Sequence, residues 1–533
     1  MTTKFIYNLL LAGIIAVTVS SCTKDLDRQP FYDLTSANVY NDFNNYKLVL
    51  AKLYAGYAVS GQQGPAGKPD IGGIDEGFSN YIRQYWQAQE LPTDEAVIAW
   101  NDGSLPDYHT MKWTSANEFI RAVYNRIFYE ISICNEFIRE TTDDKLNSRG
   151  VTGANLEDAK HFRAEARFLR ALSYWHALDL YGNVPFVVET DVIGGGFFPK
   201  QITRADLFTY IEKELKEIDV ELTDARQNEY GRADKAAAWT LLAKLYLNAE
   251  VYIKQPRYTE CITYCNKIIG AGYVLQDNYR YLFLADNNLS GEIIFPITFD
   301  GINTKSYGGM TYLVHAAVGG SMNPAAFGIN GGWGGLRTTK AFVNLFTDVT
   351  GATDKRAMFY TNGQKLEIDE ISTFTDGYAI GKYRNVNRAG VQGSDKTGDF
   401  PDTDFPMFRL ADVYLMYAEA VLRGGTGGSA GTALQYVNNL RQRAYGNTNG
   451  NITAGQLNLD FIINERGREL FWEGQRRTDL IRFGKFTGAA YLWPWKGGVK
   501  PGAAVEDYRT LFPIPSSDLT ANPNLKQNDG YGR

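Results

Sequence analysis

Residues 233–249, ADKAAAWTLLAKLYLNA, decide the fold class: Ala238, Leu241, Leu242, Leu245, Tyr246 and Ala249 recur at alternating intervals of three and one. An apolar stripe of that period lies on one face of an α-helix. A turn separates it from residues 258–269 (YTECITYCNKII), which read as a second helix. The pattern returns at Leu410, Val413, Tyr414, Tyr417, Ala418 and Val421, again followed by a helical stretch at residues 433–444 (ALQYVNNLRQRA). Phe168, Ala171, Leu172, Trp175 and Leu178 nearly reproduce it. Helix pairs recurring along one chain predict a mainly α fold packed as tetratricopeptide-type hairpins.

Two segments interrupt the helical rhythm. Residues 60–113 and 291–335 are rich in Gly, Pro and aromatics and show little helical period. Loops of such length inside a compact body usually carry function, and their Tyr and Trp content argues against disorder. They are expected to form the working surface of a single domain spanning residues 22–533.

The start of the chain predicts its location. Lys4, an apolar run at residues 9–19 (LLLAGIIAVTV) and the small residues Ser20 and Ser21 precede Cys22, the order of a secretory signal over residues 1–21. Val-Ser-Ser-Cys resembles a bacterial lipobox, so Cys22 is expected to carry the lipid anchor. Residues 23–27 (TKDLD) resemble the acidic signal that sorts lipoproteins to the outside of an outer membrane. No further apolar run of about twenty residues follows, which leaves the lipid as the expected attachment.

Composition excludes other classes. With 54 Lys and Arg against 60 Asp and Glu, and charges of both signs interspersed, nothing points to nucleic acid. The 34 Tyr, 29 Phe and 9 Trp suffice to fill a core and still line a binding face. Cys134, Cys261 and Cys265 are an odd set without partnering His, so they read as small buried residues and not as a disulfide framework or zinc site.

Catalytic signatures are weak. Gly427-Gly428-Ser429-Ala430-Gly431 matches G-x-S-x-G but follows a helix, whereas a nucleophile elbow follows a strand. His109, His161, His176 and His315 have no metalloprotease spacing, and no phosphate-binding loop is present. The acid pairs Asp75-Glu76 and Asp94-Glu95 are common loop features, too weak to define a glycosidase.

Several blocks carry a family resemblance. Residues 163–185, 231–247, 405–420 (FPMFRLADVYLMYAEA), 465–484 (ERGRELFWEGQRRTDLIRFG) and the ending with PIP and QNDGY resemble, in order, those of the SusD/RagB family of outer-membrane lipoproteins. That resemblance implies a non-catalytic surface binder of glycans, built of tetratricopeptide-like helix pairs, that works with a SusC-like TonB-dependent transporter.

The loops are similar to those of a starch-binding member. By that resemblance Trp100, Tyr307 and Trp333 form an aromatic arc for a curved α-glucan, with Asp75 and Arg83 as polar contacts. An asparagine contact falls on Gly103, beside Asn101 and Asp102, and a second indole is replaced by Ile98. Flat rings suit the C–H face of a sugar, and Arg and Asp suit its hydroxyl edge. Starch or malto-oligosaccharide is therefore the expected ligand; another glucan, a fructan or a peptide is the alternative. Trp239 and Trp472 fall on helical stripes and read as core, while Trp493 and Trp495 fit either a loop platform or C-terminal packing.

No cofactor is required by this reading. Asp402 and Asp404, two residues apart, suit either structural hydrogen bonding or a calcium ion. The resemblance implies calcium, completed near Asn288, where the starch-binding relative has an acid.

Overall fold

The computed structural model describes residues 39–192 and 194–532, so Cys22 and the leader before it lie outside the described residues. Tyr46–Arg533 form one compact unit; of the neighbouring unit Met1–Asn45, residues 39–45 are described. Among the described residues no helix is long and apolar enough to cross a membrane.

The principal helices are α1 (Asn44–Ala58), α2 (Tyr81–Glu90), α3 (Glu118–Glu140), α4 (Ala154–Leu180), α5 (Arg204–Glu217), α6 (Lys235–Leu247), α7 (Tyr258–Gly270), α8 (Gly309–Ala316), α9 (Leu410–Leu422), α10 (Ala430–Tyr445), α11 (Leu459–Leu470) and α12 (Arg476–Arg482). The expected pairs form: α6 packs on α7 and α9 on α10. In addition α7 packs against α9, and α4, which carries the third stripe, packs on α3. The stripe on α6 is buried, and truncating Leu241 or Leu245 to Ala would cost about 2–5 kcal/mol. Cys134, Cys261 and Cys265 are free and buried, as expected.

Helix starts follow local chemistry. Asn117 accepts the amide hydrogens of Phe119 and Ile120, Asp234 that of Ala237, and Ser429 that of Thr432. Each satisfies a donor that the first turn leaves unpaired. Ser429 of the G-x-S-x-G match is thus the N-cap of α10.

Structure and expectation differ in several places. The segments read as loops contain α2 and α8, and nearly every residue of both helices is buried. Both are short, and α2 buries the polar Gln84, Gln87, Gln89 and Glu90, so no apolar stripe at helical period marks it in the sequence. Trp239, read as core, is half-buried on α6 and donates Nε1–H to Asp219 at 2.5 Å. Trp472 is buried, but it follows α11 in a left-handed conformation (φ 62°) instead of lying on a helical stripe. Trp493 is buried and Trp495 donates its indole N–H to the Ile368 carbonyl at 3.0 Å, so this pair packs the C-terminal segment.

Two antiparallel ladders organise the loops. Strand β1 (Val97–Ile98) pairs with β3 (Leu336–Arg337), and β2 (Ile293–Ile297) with β4 (Phe405–Arg409). Beneath them the 465–484 block forms a buried ionic network. Arg409 engages Glu292, Glu469 and Glu473; Arg466 engages Asp412 and Asp479; Arg482 engages Glu419 and Asp479. Arg476 binds Asp94 with two contacts of 2.8 Å, so the network reaches within three residues of β1. Removing one partner of such a buried pair costs roughly 3–5 kcal/mol.

Candidate functional site: an aromatic face

The β1–β3 register, Val97 opposite Arg337 and Ile98 opposite Leu336, brings two distant loops together. Ala99 extends the ladder by donating its N–H to the Gly335 carbonyl at 2.9 Å. Trp100 and Trp333 flank this pairing, with ring centroids 6.3 Å apart and planes at 41°. The Trp100 indole N–H donates to the Trp333 backbone carbonyl at 3.3 Å, which ties the Trp100 ring to the Trp333 loop.

Helix α8 supports the Trp333 loop. Trp333, Gly334 and Gly335 donate their N–H groups to the carbonyls of His315, Val318 and Ala316 at 2.8, 2.9 and 2.8 Å. The His315 ring stacks on Trp333 at 4.8 Å and 26°, covering one indole face. Burial lowers the His315 pKa, while two carbonyls oppose the shift: Nδ1 lies 2.7 Å from that of Gly331 and Nε2 2.9 Å from that of Asp399. The glycines of 331–335 permit close packing as well as exposure. A Cβ on Gly332 would stand 2.2 Å from the Val318 carbonyl oxygen, and one on Gly335 would stand 2.8 Å from Trp100 Cε2.

Arg83, on α2, reaches the same place. Its guanidinium carbon lies 4.6 Å from the Tyr312 ring and 5.9 Å from Trp100, while Tyr312 meets Trp100 edge-on at 5.9 Å. Burial lowers the Arg83 pKa, and Tyr312, Asp75, Asp102 and Glu76 oppose that shift. Its Nε–H is buried without an acceptor. A half-buried cation with an unmet donor is suited to a hydroxyl or ring oxygen brought by a ligand.

Asp75 is exposed; its Oδ1 accepts the Phe78 N–H at 3.1 Å and caps the turn. Glu76 accepts the Tyr307 N–H at 3.3 Å, which holds the third predicted ring. Tyr307 is 39% exposed and packs on Phe400 at 5.4 Å. Asn101 is exposed beside Trp100 and, among the described residues, makes no side-chain hydrogen bond. Trp100, Trp333 and Arg83 thus form one contiguous group, and Tyr307 joins through the Asp75–Glu76 turn and the chain leading into α8.

Four supporting residues were not anticipated. Asn80 is fully buried: its Oδ1 accepts the N–H of Arg83 at 3.0 Å and of Gly309 at 2.9 Å, and its amide donates to the Ala58 carbonyl at 2.8 Å. It therefore registers α2 against α8. Tyr312 and His315 touch Arg83 and Trp333, and their i, i+3 spacing on α8 was the available signal. His109 accepts the Ile98 N–H on Nε2 at 3.0 Å and contacts the Leu91 carbonyl through Nδ1 at 2.9 Å.

The predicted cation ligands share one cavity of 460 Å³, lined by Asp402, Asp404 and Asn288. All four carboxylate oxygens already accept protein hydrogen bonds. Asp402 takes the Gly301 N–H and the Ser394 N–H and hydroxyl; Asp404 takes the Phe299 N–H and the Tyr230 hydroxyl. Burial pushes the Asp404 pKa up to about 7. Among the described residues no group of three or more His, Cys, Asp or Glu side chains is arranged to hold a metal ion. These carboxylates thus serve as hydrogen-bond acceptors that join the 299–301, 394 and 402–404 segments and Tyr230.

Known proteins identify the class. The SusD family model matches residues 347–531. The chain is 38% identical over its whole length to the whole of the Starch-binding protein SusD of Bacteroides thetaiotaomicron. The protein belongs to the SusD family. Among solved structures, the surface glycan-binding protein A from Bacteroides fluxus aligns with a TM-score of 0.70 and 21% identity, covering 92% of this chain and 99% of that one. The surface glycan-binding protein A from Bacteroides thetaiotaomicron, in complex with laminarihexaose, aligns at 0.67 and 20%, covering 91% and 99%. At these identities the structural likeness establishes the fold.

Proposed function

We propose that this protein is a non-catalytic binder of starch or malto-oligosaccharides that uses the Trp100–Trp333 face. One observation carries the reading: two tilted indoles, one tied to the other's backbone, stand beside an arginine whose Nε–H has no acceptor. Rings inclined at 41° offer successive stacking planes to a bent chain, and rigid aromatics lose little entropy on binding. Whole-chain similarity to a protein named for starch binding supports the α-glucan choice. Lipid on Cys22 would hold this face outside the outer membrane, where captured oligosaccharide passes to a SusC-like TonB-dependent transporter.

Isothermal titration against maltoheptaose, dextran, inulin and laminarihexaose tests the ligand. Maltoheptaose is expected to bind, and Trp100→Ala and Trp333→Ala each to weaken that binding at least about tenfold. Equal binding of maltoheptaose by the wild type and both variants would overturn the site. The second reading, a glycan of other linkage, draws on the structural neighbour that holds laminarihexaose. It wins if laminarihexaose or inulin binds more tightly.

A further inference from the structure

A second cavity, of 370 Å³, shares no residue with the aromatic face and is lined by Arg204, Lys254, Arg423, Arg482 and Glu250 among others. Its volume falls within the range of small-molecule sites. Four cationic side chains face it in a chain of net charge −6.

The cations differ in how far the protein satisfies them. Arg482 is fully engaged: Nε and Nη2 meet Glu419, Nη2 also meets Asp479, and Nη1 meets Asn248 at 2.9 Å. Arg204 has only backbone acceptors, the Leu178 carbonyl at 3.2 Å and the Val251 carbonyl at 3.5 Å, and lies over the Tyr252 ring at 4.8 Å. Its Nη2 is unengaged. Arg423 uses only Nε, on Glu419 at 2.8 Å, and packs against Phe483 at 4.7 Å, which leaves both Nη groups open. Lys254 caps a short helix in a left-handed conformation (φ 59°) and forms no ion pair among the described residues. By contrast, the nearby Lys216 and Arg257 pair with Glu212, and Arg167 pairs with Glu214 and Glu217.

Three cationic groups from separate segments therefore bring unmatched donors to one cavity. Guanidinium forks match planar or tetrahedral oxyanions. Glu250 adds an acceptor: Tyr258 donates to its Oε2, while Oε1 is open. We propose that this cavity binds a small sugar bearing an oxyanion, phosphate or carboxylate, with Arg204, Arg423 and Lys254 holding the anion and Glu250 accepting a hydroxyl.

Calorimetry at fixed ionic strength tests it on the whole chain, with glucose 6-phosphate, glucuronate, inorganic phosphate and glucose as probes. At least one acidic sugar is expected to bind, more tightly than inorganic phosphate, and the preferred one tells phosphate from carboxylate. Lys254→Gln and Arg423→Gln should each weaken it about tenfold, whereas Trp100→Ala should not. Acidic sugars that bind no better than glucose or inorganic phosphate would overturn the proposal. So would unchanged affinity in Lys254→Gln, whose exposed side chain can be altered without disturbing the fold.

Discussion

Trp100 donates its indole N–H to the backbone carbonyl of Trp333, 233 residues further along the chain. The bond consumes the one polar handle of the Trp100 ring, leaving it an apolar platform. It also fixes the Trp100 ring against the backbone of the Trp333 loop, whose own indole stands 6.3 Å away.

Trp100→Ala and Trp333→Ala should each reduce maltoheptaose affinity at least about tenfold, as expected for aromatic anchors at the centre of a binding surface. Because the rings stand 6.3 Å apart in one site, the loss in the double variant should fall short of the sum of the two single losses. Calorimetry on all three variants measures this; losses that simply add would show that the rings bind independently.

Gly335→Ala is expected to weaken binding without touching a ligand-facing side chain. Its Cβ would stand 2.8 Å from Trp100 Cε2, so the indole must move. Overpacking of this kind costs about 1–3 kcal/mol. Tryptophan fluorescence should shift and affinity should fall while far-UV circular dichroism is retained; wild-type affinity would show that Trp100 has room to relax.

Much of this was legible in the residues. The α6 and α9 stripes mark the helical hairpins because Leu, Tyr, Val and Ala recur at helical period over more than three turns, although both helices are buried on most sides. Helices α2 and α8 are shorter, and α2 buries Gln84, Gln87, Gln89 and Glu90, so no apolar stripe marks the face it packs. A pattern of residue types reveals a helix only where it is long enough to repeat and its buried positions are apolar. Trp100, Trp333 and Arg83 emerged only through resemblance, since a single Trp in a loop is as consistent with packing as with binding. The two-residue ladder that unites them, and the Asn80 hub beneath it, depend on long-range pairing that no local pattern encodes.

Asn80→Ala should affect stability and binding together. The substitution removes the acceptor for the N–H groups of Arg83 and Gly309 and the donor to Ala58. Loss of an N-cap costs about 0.5–2 kcal/mol, and two buried backbone groups lose partners in addition. A denaturant midpoint lowered without a change in slope, with weaker glycan binding, is the expected result. Asn80→Asp retains the acceptor and should recover part of the affinity, which a purely packing role would not predict.

Acid should destabilise the fold through buried neutral histidines. Burial lowers the pKa of His109 and of His176 to about 3, against an ordinary value of about 6.5. Below pH 6.5 the unfolded chain takes up a proton at each ring while the native state does not, so stability falls with pH until the native rings titrate near 3. The slope is about 1.4 kcal/mol per pH unit for each fully shifted histidine. His109 is the informative case, because its Nε2 accepts the Ile98 N–H and cannot do so once protonated. His109→Gln offers an uncharged acceptor at that point. Between pH 6.5 and 5 the variant should lose roughly 2 kcal/mol less stability than the wild type in urea unfolding. Parallel pH dependences in the two proteins would show that His109 protonates in the native state as readily as in the unfolded chain.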